Sequence, residues 1–359
     1  MMKKNTRCVI LLLCLMMLFT ALVGCNDAEP TKEELREKYF SQEKIDIVGS
    51  SDDLNSWIYQ LKDSGIMVRE AVFDSGKGGE PVTISQITDL HFNYCNKEDI
   101  INGSDALLST YDNRKWLANG ESVPNAVSCL EMASAADQMV ITGDVLDYLS
   151  LGAMELMQEH IWDKYPDALA CLGNHESVFV CQGKVPDETT LEYKLGILED
   201  FWIHDMYYTS KIVGEKVMVI QLDNGTNNRF WGFQAELLEA DIELAREKGY
   251  IILIFYHIPI ATGDVDAGKI SPLRVNSNTE RDFSTFGNSH KTKDDSNKVY
   301  NLIVNNADVI KGAFCGHLHS DYYTEIIAKN SDGTDAVIPQ YILTGTPYDK
   351  GHVMWITVK

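Results

Sequence analysis

The chain has 359 residues, 45% of them hydrophobic and 23% charged, with 53 Asp plus Glu against 31 Lys plus Arg. This balance is globular: it excludes disordered, collagen-like and coiled-coil chains, and the length allows a sizeable core and about two domains. A formal charge of -22 excludes a broad nucleic-acid-binding or anionic-membrane-binding surface, and at first sight argues against phosphorylated substrates too.

Residues 1–7 carry Lys3, Lys4 and Arg7 without an acid, and an unbroken apolar run extends from Cys8 to Gly24. A charged start and a run this short have the layout of a secretory signal and are marginal for a membrane span. The run closes on Leu22-Val23-Gly24-Cys25, which resembles the lipobox of bacterial lipoproteins. The resemblance implies that residues 1–24 are a signal peptide and that Cys25 is lipidated. The protein is then expected in the bacterial cell envelope, outside the cytoplasm and anchored to the membrane by lipid. An uncleaved signal anchor is the competing reading, and Cys25 directly after small residues decides against it. Beyond Cys25 the chain holds Cys95, Cys129, Cys171, Cys181 and Cys315. An odd number leaves at least one thiol free or paired between molecules. Cys171 and Cys181 could bridge in an oxidising compartment; five small buried hydrophobes is the other reading, and both stay open.

Residues 25–75 read as a polar tether and an N-terminal elaboration. A charged helix is expected over Thr31–Phe40 and a second helical pattern runs through Leu54, Trp57, Ile58 and Leu61. From residue 76 onward short apolar runs alternate with amphipathic stretches. The runs are Val82–Ile87, Met139–Ile141, Ala168–Leu172, Val217–Leu222, Tyr250–Tyr256, Ile310–Phe314, Tyr341–Leu343 and Val353–Val358. Helical patterns fall at Pro124–Ala135, Leu151–Lys164, Thr189–Phe201, Phe233–Lys248 and Ser296–Asn305. Such alternation predicts an α/β domain with sheets buried between helices. The Gly-, Ser-, Asn- and Asp-rich stretch Thr262–Asp295 reads as a long functional loop.

Chemistry-bearing residues stand at the ends of these runs. Val82–Ile87 leads to Asp89-Leu90-His91, and Met139–Ile141 to Gly143-Asp144 with Asp147 beyond. Ala168–Leu172 leads to Gly173-Asn174-His175-Glu176, Tyr250–Tyr256 to His257, and Ile310–Phe314 to Gly316-His317-Leu318-His319. In open α/β sheets ligands collect beyond the carboxyl ends of strands. Imidazole nitrogens and carboxylate oxygens together suit borderline divalent ions such as Mn, Fe, Co or Zn. Asp-x-His and His-x-His put both side chains on one side, since alternate strand residues share a face. Gly143, Gly173 and Gly316 are expected to permit the sharp exits of a crowded rim.

These blocks, in this order from Asp89 to His319, closely resemble the signature of the calcineurin-like metallophosphoesterase superfamily. The resemblance implies a four-layer α-β-β-α sandwich of two mixed sheets flanked by helices, with residues 76–359 as the catalytic domain. It also implies two divalent metal ions, one on Asp89, His91, Asp144 and His319. The other takes Asp144, Asn174, His257 and His317, with Asp144 bridging. His175 is implied as the catalytic histidine that holds no metal, Glu176 as the residue that orients it, and Asp147 as a supporting residue behind the ligands. Two divalent ions outweigh Asp89, Asp144 and a bridging hydroxide, so the rim is locally positive on an acidic protein. That reverses the first inference about phosphate.

The reaction implied is hydrolysis of a small phosphate ester, mono- or diester, at the cell surface, by in-line attack of the bridging hydroxide. A non-catalytic surface lipoprotein that binds a solute on a degenerate phosphoesterase fold is the competing class. Substrate-selecting elements are expected at Asn93–Gly120 and Thr262–Asp295. Asn93, Tyr94, Arg114, Arg274 and Arg281 could contact substrate there, with ordinary loop surface as the plainer reading. His160, His204, His290 and His352 default to surface or structural roles, and Trp116, Trp162, Trp202 and Trp231 to packing between layers.

Overall fold

A computed structural model describes residues 29–47, 56–115, 117, 122–178, 191–226, 229–263 and 293–359. The signal segment 1–24, Cys25, Trp116, Cys181, Arg274, Arg281 and His290 lie outside the described residues. Among the described residues no helix is long and apolar enough to cross a membrane.

The strands in chain order are β1 (Lys44–Asp46), β2 (Ser56–Leu61), β3 (Met67–Phe73), β4 (Val82–Ile87), β5 (Gln138–Thr142), β6 (Leu169–Cys171) and β7 (Tyr208–Val213). They continue as β8 (Val217–Leu222), β9 (Ile251–Phe255), β10 (Ile310–Cys315), β11 (Tyr322–Lys329), β12 (Asp335–Ile342) and β13 (His352–Val358). The helices are α1 (Lys32–Phe40), α2 (Lys97–Asn102), α3 (Asp105–Arg114), α4 (Ser122–Ala133), α5 (Leu151–Met157), α6 (His175–Val178), α7 (Leu191–Phe201), α8 (Gly232–Lys248) and α9 (Lys293–Val304). One sheet has seven strands in the order β1-β2-β3-β13-β4-β5-β6, the other six in the order β11-β12-β10-β9-β8-β7. Both are mixed. β4, β5 and β6 are parallel neighbours in the first, and β8, β9 and β10 in the second.

Three apolar layers hold this arrangement. Continuous runs such as Val217–Leu222 and Ile251–Phe255 are buried along their whole length, as parallel strands covered on both faces require. Between the sheets lie Ile84, Val140, Val219, Leu253, Met354 and Ile356. On the outer face of the larger sheet α4, α5 and α7 contribute Leu130, Met154 and Leu198. On the smaller sheet α8 and α9 bring Leu238, Ile242, Val299 and Ile303. The result is the four-layer sandwich expected from the blocks. At its centre the fully buried Phe314 ring stacks on Phe255 at 4.9 Å and on Tyr341 at 5.3 Å, one residue from each of three adjacent strands. Phe314→Ala is expected to destabilise the fold by about 3–5 kcal/mol. Urea denaturation measures this, and a loss under about 1 kcal/mol would mean that the layers close over the gap.

Several expectations need correction. The pattern through Leu54, Trp57, Ile58 and Leu61 predicts a helix, but Ser56–Leu61 is strand β2, antiparallel to β3. Helical spacing and a half-buried strand cannot be told apart in so short a run, and the waiting edge of β3 decides it. Tyr59 and Leu61, two apart, both enter the core. Within that N-terminal stretch β1–β3 extend the larger sheet, and β3 pairs with the C-terminal β13. Helix α1 does form as expected. Thr31 Oγ1 accepts from Glu34 N at 3.2 Å and Glu34 Oε2 accepts from Thr31 N at 2.7 Å, a reciprocal cap. Cys95, Cys129, Cys171 and Cys315 are free and buried; burial pushes the Cys129 thiol up to about 12, which makes it a packing group and not a nucleophile. Trp162 and Trp202 pack edge to face at 5.5 Å in the layer under the helices.

Candidate metal centre

Five parallel strands end at one place. β4 releases Asp89 and His91, β5 releases Asp144, and β6 runs into Asn174 and His175 at the start of α6. From the other sheet β9 releases His257, and β10 releases His317 and His319. Asp89, His91, Asp144 and His319 each present a ligand atom within 4.8 Å of the others, and so do Asp144, His257 and His317. Asp144 belongs to both groups. Asn174 joins the second, its Oδ1 lying 3.1 Å from His257 Nε2. Within the groups His319 Nε2 is 3.0 Å from Asp89 Oδ1, His91 Nε2 is 3.1 Å from His319 Nε2, and His257 Nε2 is 3.2 Å from Asp144 Oδ2.

Each imidazole is aimed by the partner of its other nitrogen. His91 Nδ1 faces the acceptor Asp147 Oδ1 at 3.1 Å, and His257 Nδ1 faces the carbonyl of Thr142 at 2.8 Å. His319 Nδ1 meets the Tyr348 hydroxyl at 2.6 Å. Carboxylate and carbonyl partners demand Nδ1–H on His91 and His257, which turns their Nε2 atoms into the centre. Once the Nε2 protons leave, the converging lone pairs and carboxylate oxygens fit borderline divalent cations. The donor set therefore fits the two ions that the residue pattern implies.

The backbone is strained for the same purpose. Asp89, His91, Asp144, His317 and His319 all have positive φ, between 48° and 68°. Such conformations cost about 1–3 kcal/mol each and persist only where surroundings enforce them. Sequence reasoning assigned the sharp exits to glycines, but only Gly143 of the three has positive φ. Gly173 and Gly316 serve close approach instead. A Cβ on Gly173 would lie 2.1 Å from Asp144 Oδ1, and one on Gly316 would lie 2.0 Å from Thr88 Oγ1.

His175 stands beside the ligands with Nε2 3.9 Å from Asp144 Oδ2. Its Nδ1 donates to the Asp147 carbonyl at 2.9 Å, with Asp147 Oδ1 at 3.2 Å. Glu176, expected to orient this ring, points elsewhere. Its Oε2 accepts from Gly173 N at 2.7 Å and Asp144 N at 3.2 Å, and Oε1 from Leu146 N at 2.8 Å. Glu176 thus shapes the two ligand loops, and Asp147 takes the orienting position. Burial, and then the charge of Asp144, pushes the Glu176 carboxyl up to about 7.

Asp147 is the hub. Besides the two rings it receives Arg114 and Asn93, so two residues proposed for loop surface or substrate contact are tied into the centre. Tyr94 remains exposed. His204 accepts from Ala170 N, and His352 lies between Asp321 and Asp349, both structural. Tyr348 and Asn224 were missed. Asn224 Oδ1 accepts from His257 N and Ile258 N at 3.1 and 2.9 Å and fixes that turn. Both follow apolar runs, so the strand-end rule that found the ligands would have found them, had it not been limited to ligand types.

Burial opposes charge on His91, but Asp147, Asp89 and Asp144 outweigh it and raise the imidazole to about 10. The same opposition, won by Asp144 and Asp89, raises His257 to about 9. Without metal these rings hold protons where cations would sit. Metal uptake must displace them, so affinity is expected to rise with pH until about 9–10 and to fall below it. Calorimetric titration of metal at pH 7 in buffers of different ionisation enthalpy reads the protons released. A buffer-independent heat would contradict this.

A family model for calcineurin-like phosphoesterases matches residues 82–321, and the chain belongs to that family. Among solved structures it is similar to a dimetal phosphatase from Danio rerio, at 15% identity over 74% of this chain and 88% of that one, with a TM-score of 0.40. A protein from Staphylococcus aureus assigned as a 5′-nucleotidase, in complex with alpha-ketoglutarate, is similar at 15% identity over 74% of this chain and 49% of that one, with a TM-score of 0.35. No curated protein matches the chain.

Proposed function

We propose that this protein hydrolyses small phosphate esters, as a phosphomonoesterase or phosphodiesterase, at the outer face of a bacterial membrane to which lipid on Cys25 anchors it. The observation that carries the reading is the pair of ligand groups sharing Asp144, with His175 beside them, its Nε2 3.9 Å from Asp144 Oδ2. Two divalent ions held there would polarise phosphate oxygens and lower the pKa of a bound water to supply the nucleophile. The chain's own residues do the rest. Asp89, His91, Asp144 and His257 are buried, which keeps bulk water from the ligand side. His175, with Nδ1–H fixed by Asp147, presents Nε2 where it can hold or deliver a proton at a leaving oxygen. A binder that merely retained the metals would have no use for this extra ring, which favours hydrolysis over the solute-binding alternative.

The test is metal analysis followed by assays with p-nitrophenyl phosphate and bis-p-nitrophenyl phosphate after reconstitution with Mn, Fe, Zn or Co. Hydrolysis of either ester is the expected result. Two bound ions without hydrolysis of any ester would support the binder.

A further inference from the structure

We propose that Arg114 is a positioning residue for the metal centre, acting through Asp147 on His91 and His175; the role in turnover rests on the phosphoesterase reading above. Asp147 is a fully buried carboxylate that serves two rings at once, Oδ1 being 3.1 Å from His91 Nδ1 and 3.2 Å from His175 Nδ1. One of those rings belongs to a ligand group and the other faces the substrate side. A carboxylate aligning two rings must have its own plane fixed, because rotation about its last torsion carries Oδ1 away from both. Arg114 fixes it. Nε donates to Oδ2 at 2.7 Å and Nη2 to Oδ1 at 2.5 Å, the two-pronged pairing that sets orientation as well as distance. Asn93 Nδ2 adds a further bond to Oδ2 at 2.6 Å.

The guanidinium is brought there by structure of its own. Arg114 is the last residue of α3, and its carbonyl accepts from Asn93 Nδ2 at 3.2 Å. Asn93 Oδ1 in turn accepts from the Tyr148 hydroxyl at 2.9 Å, next to Asp147 in the chain. Upstream, the Asp99 carboxylate accepts from Leu151 N at 3.0 Å and Gly152 N at 2.8 Å, which pins α2 to the start of α5. Contact there is close: a Cβ on Gly152 would lie 2.6 Å from Asn96 N. The segment from Asn93 to Arg114 is thus docked at both ends and delivers a cation to the hub. It acts as part of the centre's support as well as its border.

The experiment compares the full chain with Arg114→Ala, Arg114→Gln and Arg114→Lys. Readouts are metal affinity by calorimetry, Nδ1–H signals of His91 and His175 by nitrogen-15 imidazole resonance, and kcat and KM on p-nitrophenyl esters. Arg114→Ala is expected to lower metal affinity or kcat about 10–100-fold, the usual cost of losing a group that orients ligands. KM should change little and both Nδ1–H signals should shift. Lysine restores only part, since a point charge cannot reproduce the fork, and added guanidinium ion should recover some of the alanine variant's rate. If Arg114→Ala does not fold, the Gln and Lys variants carry the same readouts. A folded variant with wild-type metal affinity, kcat and Nδ1–H signals overturns the proposal, as does a rise in KM alone, which would make Arg114 a substrate contact. Should the unmodified protein hydrolyse no ester, the phosphoesterase reading fails, while metal affinity and the Nδ1–H signals still decide Arg114.

Discussion

Asp144→Ala is expected to empty both metal positions and to abolish hydrolysis in the same step. Asp144 is the residue common to the two ligand groups. Its Oδ2 lies 3.2 Å from His257 Nε2 and 3.9 Å from both His91 Nε2 and His175 Nε2. Its Oδ1 also accepts from His175 N at 2.9 Å, so the side chain holds the turn that carries the His175 ring. Removing it takes away a negative charge that both cations need and loosens Asn174 and His175 together. The loss of transition-state charge stabilisation is several kcal/mol, or about a thousandfold or more in rate. His257→Ala should behave differently, weakening the second position while Asp89, His91, Asp144 and His319 keep the first. Metal analysis of the dialysed variants distinguishes the two. Thermal melting with and without chelator should agree, since a ligand bound only to the native state raises its stability, and the melting shift on chelation should vanish in Asp144→Ala. An Asp144→Ala protein that retained both ions would remove the bridging assignment.

How much of this was legible beforehand follows from the range of the interactions involved. The residues of the two clusters could be read because each ends an apolar run, and parallel strands send such ends to one rim. The α/β layering could be read because runs and amphipathic stretches alternate, while the four-layer arrangement came from the family resemblance. What could not be read depends on partners far away in the chain. The pattern from Leu54 to Leu61 has helical spacing, and only the edge of β3 makes Ser56–Leu61 a strand. The family resemblance implied that Glu176 orients His175, yet its carboxylate accepts from the amides of Gly173, Asp144 and Leu146. Arg114 reaches Asp147 from a helix whose sequence carries no mark of that destination. Strain was placed on the wrong residues for a related reason. Glycine tolerates positive φ freely, so it was the natural choice, but Asp89, His91, Asp144, His317 and His319 adopt it themselves, and His317 N donates to Asp89 Oδ2 at 3.0 Å across the two sheets.

His175→Ala is expected to separate chemistry from metal binding. His175 stands outside the two groups that share Asp144 and clusters instead with His91 and Asp147. Its Nδ1 is engaged by Asp147, so the ring is held in one tautomer and one orientation. Removing a positioned proton donor typically costs ~10²–10⁴-fold in turnover, and the alanine variant should lose that much of kcat with both ions still bound. Two neighbouring substitutions sharpen the assignment. Asp147→Asn should lower kcat in the same direction, because an amide cannot accept from His91 and His175 as a carboxylate does. Glu176→Gln should instead disturb the loops, leaving a buried amide hydrogen or nitrogen without a partner at a cost of about 1–3 kcal/mol. Its effect should appear in stability and metal affinity, with kcat of the loaded protein little changed. Stopped-time assays at saturating metal, beside metal analysis of each variant, give the comparison. If His175→Ala turned over at the wild-type rate, or Glu176→Gln fell as far in kcat as His175→Ala with metal retained, the proton would have to be handled by a different group. Glu176, bonded to the amides of Gly173, Asp144 and Leu146, would then be the first candidate.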